Sequence, residues 1–262
     1  MGKNKLKKFA DMETYASVFQ YPWARLQKEE FPLRGKWHKE YFHNENPIVL
    51  ELGCGKGEYT VGLAERYNDK NYIGVDIKGA RIWSGATDAE KRGMMNVAFI
   101  RTEIESIQKF FAPGEVSEIW ITFPDPQMHK VRKRLTSSRF LMLYREILRG
   151  DGMIHLKTDS PFLYEFTSRL VKENALPVLR DSDDLYGSGM ADSVTSIKTY
   201  YEQQWLSRGK KIKLISFTLP SEGNLSDPEE EDIERDDYRS YPRGISQCMP
   251  EELAKLREEE TR

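Results

Sequence analysis

A strand that runs into three alternating glycines limits what this chain can fold into more than any other feature. Ile48 to Leu52 is an apolar run broken only by Glu51, and Gly53-Cys54-Gly55-Lys56-Gly57-Glu58 follows it directly. Tyr59, Leu63 and Tyr67 then recur at helical spacing. A second apolar run, Tyr72 to Val75, ends in Asp76. Glycine lets a backbone take conformations closed to other residues and lets a ligand come close. An acid after the second strand can accept hydrogen bonds from both hydroxyls of a ribose. A plain strand–helix turn with an exposed Asp has the same local pattern, so the unit needs a second motif to carry function.

The glycine spacing separates two cofactor classes. Pyrophosphate-binding turns favour G-x-G-x-x-G. Here the order is G-x-G-x-G, and Glu58 stands where the third glycine of that pattern belongs. Carboxylates at Glu51 and Glu58 suit a pyrophosphate poorly. They suit an ammonium and a sulfonium well, so the pattern favours S-adenosylmethionine over a dinucleotide.

The chain continues as strands and helices in alternation. Strands are expected at Val97 to Arg101, Ser117 to Thr122, Met153 to Lys157, Val178 to Arg180 and Ile212 to Leu219. Helices are expected at Ile104 to Phe111, Ser137 to Leu148, Pro161 to about Asn174 and about Ile197 to Arg208. Asp159 or Ser160 can cap the third of these, and Pro161 suits its first turn. The alternation predicts an α/β fold: a doubly wound, mostly parallel, seven-stranded sheet with helices on both faces. Ligands bind such sheets at the carboxyl ends of the strands, and Glu51, Asp76, Asp125 and Asp159 all fall near such ends.

Asp125 sits in Phe123-Pro124-Asp125-Pro126, where two prolines stiffen the exit of the fourth strand. Taken alone, such a turn reads as structural. Its place about seventy residues after the glycine motif makes it a candidate for a carboxylate held beside a cofactor. Gln127 to Arg134 follows, with Lys130, Arg132, Lys133 and Arg134 cationic. Charge runs are most often solvated loops, but cations at a cleft rim are also placed to hold phosphates.

Charge is distributed unevenly. Residues 221–262 hold 14 Asp or Glu and 6 Lys or Arg, leaving 28 acidic and 34 basic residues in 1–220. A basic body permits a polyanionic partner. The acidic end, with Pro228-Glu229-Glu230-Glu231-Asp232, reads as a solvated tail, with a short exposed helix at Glu251 to Glu260. Residues 1–44 read as a lead-in, 45–220 as the body and 221–262 as the tail. Lys3, Lys5, Lys7 and Lys8 suggest a flexible basic arm. Phe19, Tyr21, Trp23, Phe31, Trp37 and Tyr41 are expected to pack across the sheet edge rather than to stack on bases. No run is long enough to span a membrane. Cys54 and Cys248 lack metal-like neighbours, the four histidines lack ligand spacing, and no metal site is expected; a reduced, cytoplasmic protein follows.

Four motifs in order, ELGCGKGE, FPDP with its basic loop ending in Lys133-Arg134-Leu135, Leu156-Lys157-Thr158-Asp159 and Thr199-Tyr200-Tyr201-Glu202, resemble the bacterial tRNA (guanine-7-)-methyltransferase family over roughly residues 45–218. The resemblance implies a class I methyltransferase (Rossmann-like) fold, S-adenosylmethionine as cofactor and a guanosine of the tRNA variable loop as acceptor. It implies cofactor binding by Glu51, Gly53, Gly55, Gly57, Asp76 and Asp125, and by Thr102 or Glu103 near the adenine. Asp125 resembles the catalytic Asp. Asp159 and Thr199, Tyr200, Tyr201 and Glu202 resemble contacts to the target nucleoside. The family's substrate-binding lysine falls on His129 by count and on Lys130 by chemistry, with Lys130 preferred, because Gln127 and Met128 depart from the family pattern. Asp159 and Glu202 are expected to accept hydrogen bonds from guanine. Two rivals are a class I methyltransferase acting on another acceptor and a non-catalytic RNA-binding module. Oligomeric state is left open, with a monomer preferred.

Overall fold

The computed structural model describes residues 3–236. Its centre is one eight-stranded sheet. The strands are β1 (Val18–Gln20), β2 (Ile48–Leu52), β3 (Asn71–Asp76), β4 (Val97–Arg101), β5 (Val116–Thr122), β6 (Leu148–Thr158), β7 (Val178–Ser182) and β8 (Lys213–Thr218), in the order β1-β4-β3-β2-β5-β6-β8-β7. All pairings are parallel except those made by β8, which runs antiparallel to both β6 and β7. The sheet has one strand more than expected. The extra strand is β1, three residues of the lead-in paired with β4 from Val18↔Phe99 to Gln20↔Arg101.

The inner strands β2, β3 and β5 are buried along their whole length. Parallel strands covered on both faces read as unbroken apolar runs, which is why these three were visible in the sequence. The helices are α1 (Lys3–Thr14), α2 (Trp23–Leu26), α3 (Glu58–Arg66), α4 (Gly79–Lys91), α5 (Ser138–Ile147), α6 (Pro161–Glu173) and α7 (Tyr200–Ser207). Short 3-10 turns cover Ile104–Lys109 and Val131–Lys133, and a π-helical turn covers Trp37–Phe42.

Three features depart from the sequence reading. The basic arm is helical: it forms α1 and lies on α4. There Asp11 accepts a hydrogen bond from the Trp83 indole at 3.0 Å, and the Lys8 ammonium sits 4.3 Å from the centre of the Trp83 ring. α4 leaves little trace in the sequence, because its glycines weaken the helical signal. Gly79 carries no side chain because α1 leaves no room for one, with Phe9 within 2.7 Å of a Cβ built there. The acidic end is not a solvated tail throughout: Leu225 and Ile233 are buried in the main core, and neighbouring acids bond to the body. The expected helix at Glu251 to Glu260 lies outside the described residues, as does Cys248. The lead-in aromatics pack as expected. Phe19, Phe31, Trp37 and Tyr41 meet mostly edge to face, and the Trp37 indole donates to the Phe110 carbonyl at 2.9 Å. Trp23 is the exception and remains exposed.

One buried polar cluster crosses the sheet. Glu118 on β5 accepts from the Trp120 indole at 2.6 Å and from Lys70 at 2.9 Å, and it lies 3.3 Å from the His155 ring on β6. That ring stacks on Trp120 at 4.1 Å and bonds Ser216 on β8. Burial alone would raise the Glu118 pKa, but His155 and Lys70 outweigh it and pull it down to about 2. A depressed carboxyl pKa stabilises the fold above the unfolded-state value, and that stability is lost as pH falls toward the folded value. Glu118→Gln is therefore expected to lose on the order of 3 kcal/mol at neutral pH and to converge on the parent between about pH 4.5 and pH 2. Urea melts across that range check this, and a gap that does not change with pH would contradict it.

Candidate functional site

The site grows from the turn between β2 and α3. Gly53, Gly55 and Gly57 all have positive φ, at 79°, 55° and 72°. The turn is pinned by the Gly53 and Cys54 amides donating to the Val75 carbonyl at 2.8 and 3.1 Å. The glycines serve different ends. A Cβ on Gly57 would lie 2.6 Å from the Phe99 ring, and one on Gly85 of α4 would lie 2.6 Å from the Lys56 carbonyl oxygen. The turn and α4 therefore touch backbone to backbone. A Cβ on Gly53 or Gly55 would meet nothing closer than 3.9 Å, so these two face open space that a ligand can fill.

That space continues as a cavity of about 190 Å³ bordered by Gly53, Asp76, Thr102, Glu103, Leu135 and Phe140. Asp76 lines it, 8% exposed, accepting from the Gly55 amide at 2.9 Å and the Lys78 amide at 2.7 Å. Thr102 and Glu103 both line the cavity, but their side chains differ in commitment. The Thr102 hydroxyl is buried with no partner, whereas Glu103 accepts from the Trp23 amide at 3.1 Å. A buried hydroxyl without a partner costs free energy, and a polar ligand would satisfy it. The apolar walls, Ile104, Leu135 and Phe140, were not singled out from the sequence. Their only signal there is position, just after strand ends or at the start of a helix.

Glu51 lies beneath the turn and is almost fully buried. It accepts from the Thr60 amide at 2.9 Å, from the Thr60 hydroxyl and from the Thr122 hydroxyl at 2.6 Å. Burial raises its pKa to about 7, against the lowering effect of the Thr122 and Thr60 hydrogen bonds, with Asp76 adding to the rise.

Asp125 leaves β5, the strand beside β2, where Leu52 pairs with Ile121. The Asp125 turn and the glycine turn therefore emerge side by side at one end of the sheet. Phe123 has φ 48° and donates its amide to the Lys157 carbonyl at 2.8 Å. Asp125 is exposed and accepts from the Gln127 amide at 3.0 Å. In the loop that follows, His129, Lys130 and Arg132 are exposed. Lys133 pairs with Glu105 at 2.6 Å, and Arg134 is turned wholly inward.

The segment before α7 lies across α3. The Tyr59 hydroxyl donates to the Val194 carbonyl at 3.1 Å, and a Cβ on Gly62 would lie 2.9 Å from Ile197. Thr199 caps α7 by accepting from the Glu202 amide at 3.2 Å. The Tyr200 amide donates to Glu58 at 2.9 Å, and Lys56 lies 4.2 Å from the centre of the Tyr200 ring. Tyr200 and Tyr201 are thus presented, partly exposed, next to the glycine turn. Glu202 is not presented. It is fully buried, paired with Lys157 at 2.8 Å and accepting from the Tyr186 hydroxyl at 2.5 Å. Its expected hydrogen bond to guanine has no surface to be made on, because both carboxylate oxygens face the interior. Lys157 also donates to the Thr195 and Ile197 carbonyls at 2.7 and 3.2 Å, so this buried pair ties β6 to the segment that carries Tyr200. Asp159 is buried, 3.7 Å from the Lys210 ammonium.

Among the described residues, no group of three His, Cys, Asp or Glu is placed to hold a metal, and no helix is long and apolar enough to cross a membrane. Residues 45–215 match a family model described as "Putative methyltransferase". The chain is 60% identical over 243 residues to a Bacteroides fragilis protein named tRNA (guanine-N(7)-)-methyltransferase, an alignment covering 93% of this chain and 96% of that one. It is also 60% identical over 244 residues to the protein of that name from Porphyromonas gingivalis, with 91% and 100% covered. Among solved structures, an antibiotic-related methyltransferase superposes with a TM-score of 0.52 at 16% identity, covering 75% of this chain and 97% of that one. The 16S rRNA (adenine(1408)-N(1))-methyltransferase of Catenulisporales acidiphilia superposes with a TM-score of 0.52 at 15% identity, covering 77% and 98%. At such identities the likeness speaks for the fold alone, the Rossmann-like sheet of class I methyltransferases.

Two expectations follow. Gly57→Ala should destabilise the fold by about 3 kcal/mol, since strain and overlap add there, while Gly55→Ala should cost about 1 kcal/mol. Equal losses in denaturant melts would contradict the division of labour between the two glycines. A carboxyl whose folded pKa is raised contributes stability at low pH that is lost as pH rises through that value. Glu51→Gln should therefore gain stability relative to the parent between pH 5 and pH 8, by up to about 3 kcal/mol, in thermal melts of the ligand-free protein.

Proposed function

This chain belongs to the tRNA (guanine-N(7)-)-methyltransferase family, and we propose that it transfers the methyl group of S-adenosylmethionine to the 7-nitrogen of a guanosine in the tRNA variable loop. The observation that carries the reading is the emergence of three elements at one end of the sheet: the glycine turn with its open side, the Asp125 turn on the neighbouring strand, and the Tyr200 end of α7 bonded to Glu58.

The donor set fits that cofactor. Asp76 suits the ribose hydroxyls, and the unpartnered Thr102 hydroxyl with the apolar walls of Ile104 and Phe140 suits the adenine. Glu51 suits the ammonium end. When bound, the cofactor supplies an electrophilic methyl on a sulfonium. The guanine 7-nitrogen carries a lone pair and no proton, so the chain needs no base to expose it. Acceleration then comes from positioning and from the field around the acceptor.

Positive charge develops on the purine, and the stiffened, exposed carboxylate of Asp125 is the group that stabilises it. Lys130 is the loop cation that meets the tRNA backbone, with His129 beside it. Asp159 and the start of α7 bound the nucleoside. Thr199, as helix cap, fixes Tyr200 and Tyr201. Glu202 acts from the interior through Lys157 rather than on the base. An activity on tRNA assigns the protein to the cytoplasm. A cation arriving beside Glu51 favours its ionised form, so cofactor binding below about pH 7 should release a proton.

The test is methylation of tRNA lacking 7-methylguanosine, with labelled cofactor and nucleoside analysis. Label in 7-methylguanosine alone supports the reading, and label in another nucleoside overturns it. Asp125→Ala should bind cofactor normally and lose about a hundredfold or more in turnover. Near-normal turnover would remove Asp125 from the chemistry.

A further inference from the structure

The acidic segment after β8 carries a function that its composition conceals. Resting on the role assigned above to Asp125, we propose that Glu230 is a positioning residue for the Asp125 turn, acting through the buried guanidinium of Arg134.

Arg134 has no exposed surface and holds three partners at once. Its Nε donates to the Pro126 carbonyl at 3.0 Å, one terminal nitrogen donates to the Gln127 carbonyl at 3.1 Å, and the other pairs with Glu230 at 2.6 Å. The Phe162 and Phe166 rings of α6 lie 4.8 and 4.0 Å from the guanidinium carbon. Pro126 and Gln127 directly follow Asp125, and Gln127 is the residue whose amide holds the Asp125 carboxylate and whose own φ is 48°. A guanidinium can serve two carbonyls on one side only if its charge is balanced on another, because an uncompensated buried charge is costly. Glu230, one of the acids of the segment, supplies that balance.

The segment is fixed along its length in the same manner. Asp227 accepts from the Ser138 amide at the start of α5 at 2.7 Å. Asp232 pairs with Arg169 at 2.6 Å. Asp236 accepts from the Phe162 amide at 3.0 Å and from the Ser160 hydroxyl, next to Asp159. Leu225 and Ile233 anchor it in the core. The strap therefore buttresses the loop that carries Asp125 and the loop that carries Asp159 from behind. An acidic surface that merely repelled tRNA would need none of these bonds.

Glu230→Gln and Glu229→Gln remove the same charge from adjacent positions, and the Glu229 side chain is exposed. In the tRNA methylation assay, Glu230→Gln should lower kcat about tenfold, with the KM for tRNA and the cofactor Kd within about twofold of the parent. Glu229→Gln should leave all three unchanged. Arg134→Lys keeps the charge next to Glu230 but loses the fork to the two carbonyls, so it should reproduce the fall in kcat even if Glu230→Gln folds poorly. Adding Glu230→Gln to Asp125→Ala should lower the residual rate no further. Parental kcat in both Glu230→Gln and Arg134→Lys overturns the strap and leaves the methyltransferase reading intact. Equal falls in the KM for tRNA in Glu229→Gln and Glu230→Gln, with kcat unchanged, overturn it in favour of an electrostatic shield. Parental turnover in Asp125→Ala overturns the role of Asp125 and the strap with it.

Discussion

Backbone contact between the glycine turn and α4 is the constraint on which the rest of this structure depends. Gly57 and Gly85 meet where neither has room for a Cβ, with the Phe99 ring filling the corner between them. This contact fixes where α3 begins, and α3 in turn carries Glu58 and Thr60. Glu58 receives the start of α7, and Thr60 holds Glu51 beneath the turn. Close packing transmits such placement because interiors are dense and cannot absorb an added methyl group without movement. Gly53 and Gly55 stay open on the other side, so one short turn is closed toward the core and accessible toward a ligand.

The second organising feature is the use of buried charge as a brace. Lys157 with Glu202 ties β6 to the segment before α7, and Arg134 with Glu230 ties the Asp125 turn to the chain beyond β8. Buried ion pairs are weak evidence for stability but can select one arrangement over others. Here each pair also serves backbone carbonyls of a loop: Thr195 and Ile197 in the first case, Pro126 and Gln127 in the second. The exposed groups are thus set from the interior: Asp125 and Lys130 lie on a loop held through Arg134, and Tyr200 and Tyr201 lie at the start of α7, held through Glu202.

Much of this was legible in the sequence, for a physical reason. Parallel inner strands are apolar along their whole length, and alternation with amphipathic helices identifies the sheet, so β2 to β6 and α3, α5 and α6 could be located from local pattern. Positive-φ glycines between a strand and a helix are also a local signal. What local pattern could not supply was pairing over long separations. The burial of Glu202, expected at the base, depends on Lys157, and the docking of Glu230, expected in solvent, depends on Arg134; in each case the acid meets a cation tens of residues away. α4 was hidden because the small residues that let it touch the glycine turn and α1 are poor helix formers. β1 was too short to read, and its three residues became a strand only because β4 offered an open edge.

The central claim is spatial: the Asp125 carboxylate and the open side of the glycine turn border one crevice. The most direct measurement is a crystal structure with S-adenosylhomocysteine and a guanosine nucleotide bound. The adenosine should lie against Thr102 and Asp76, with the sulfur facing the guanine 7-nitrogen and Asp125 against the same purine. A sulfur separated from Asp125 by protein, or a cofactor seated away from Gly53 and Gly55, would contradict the claim.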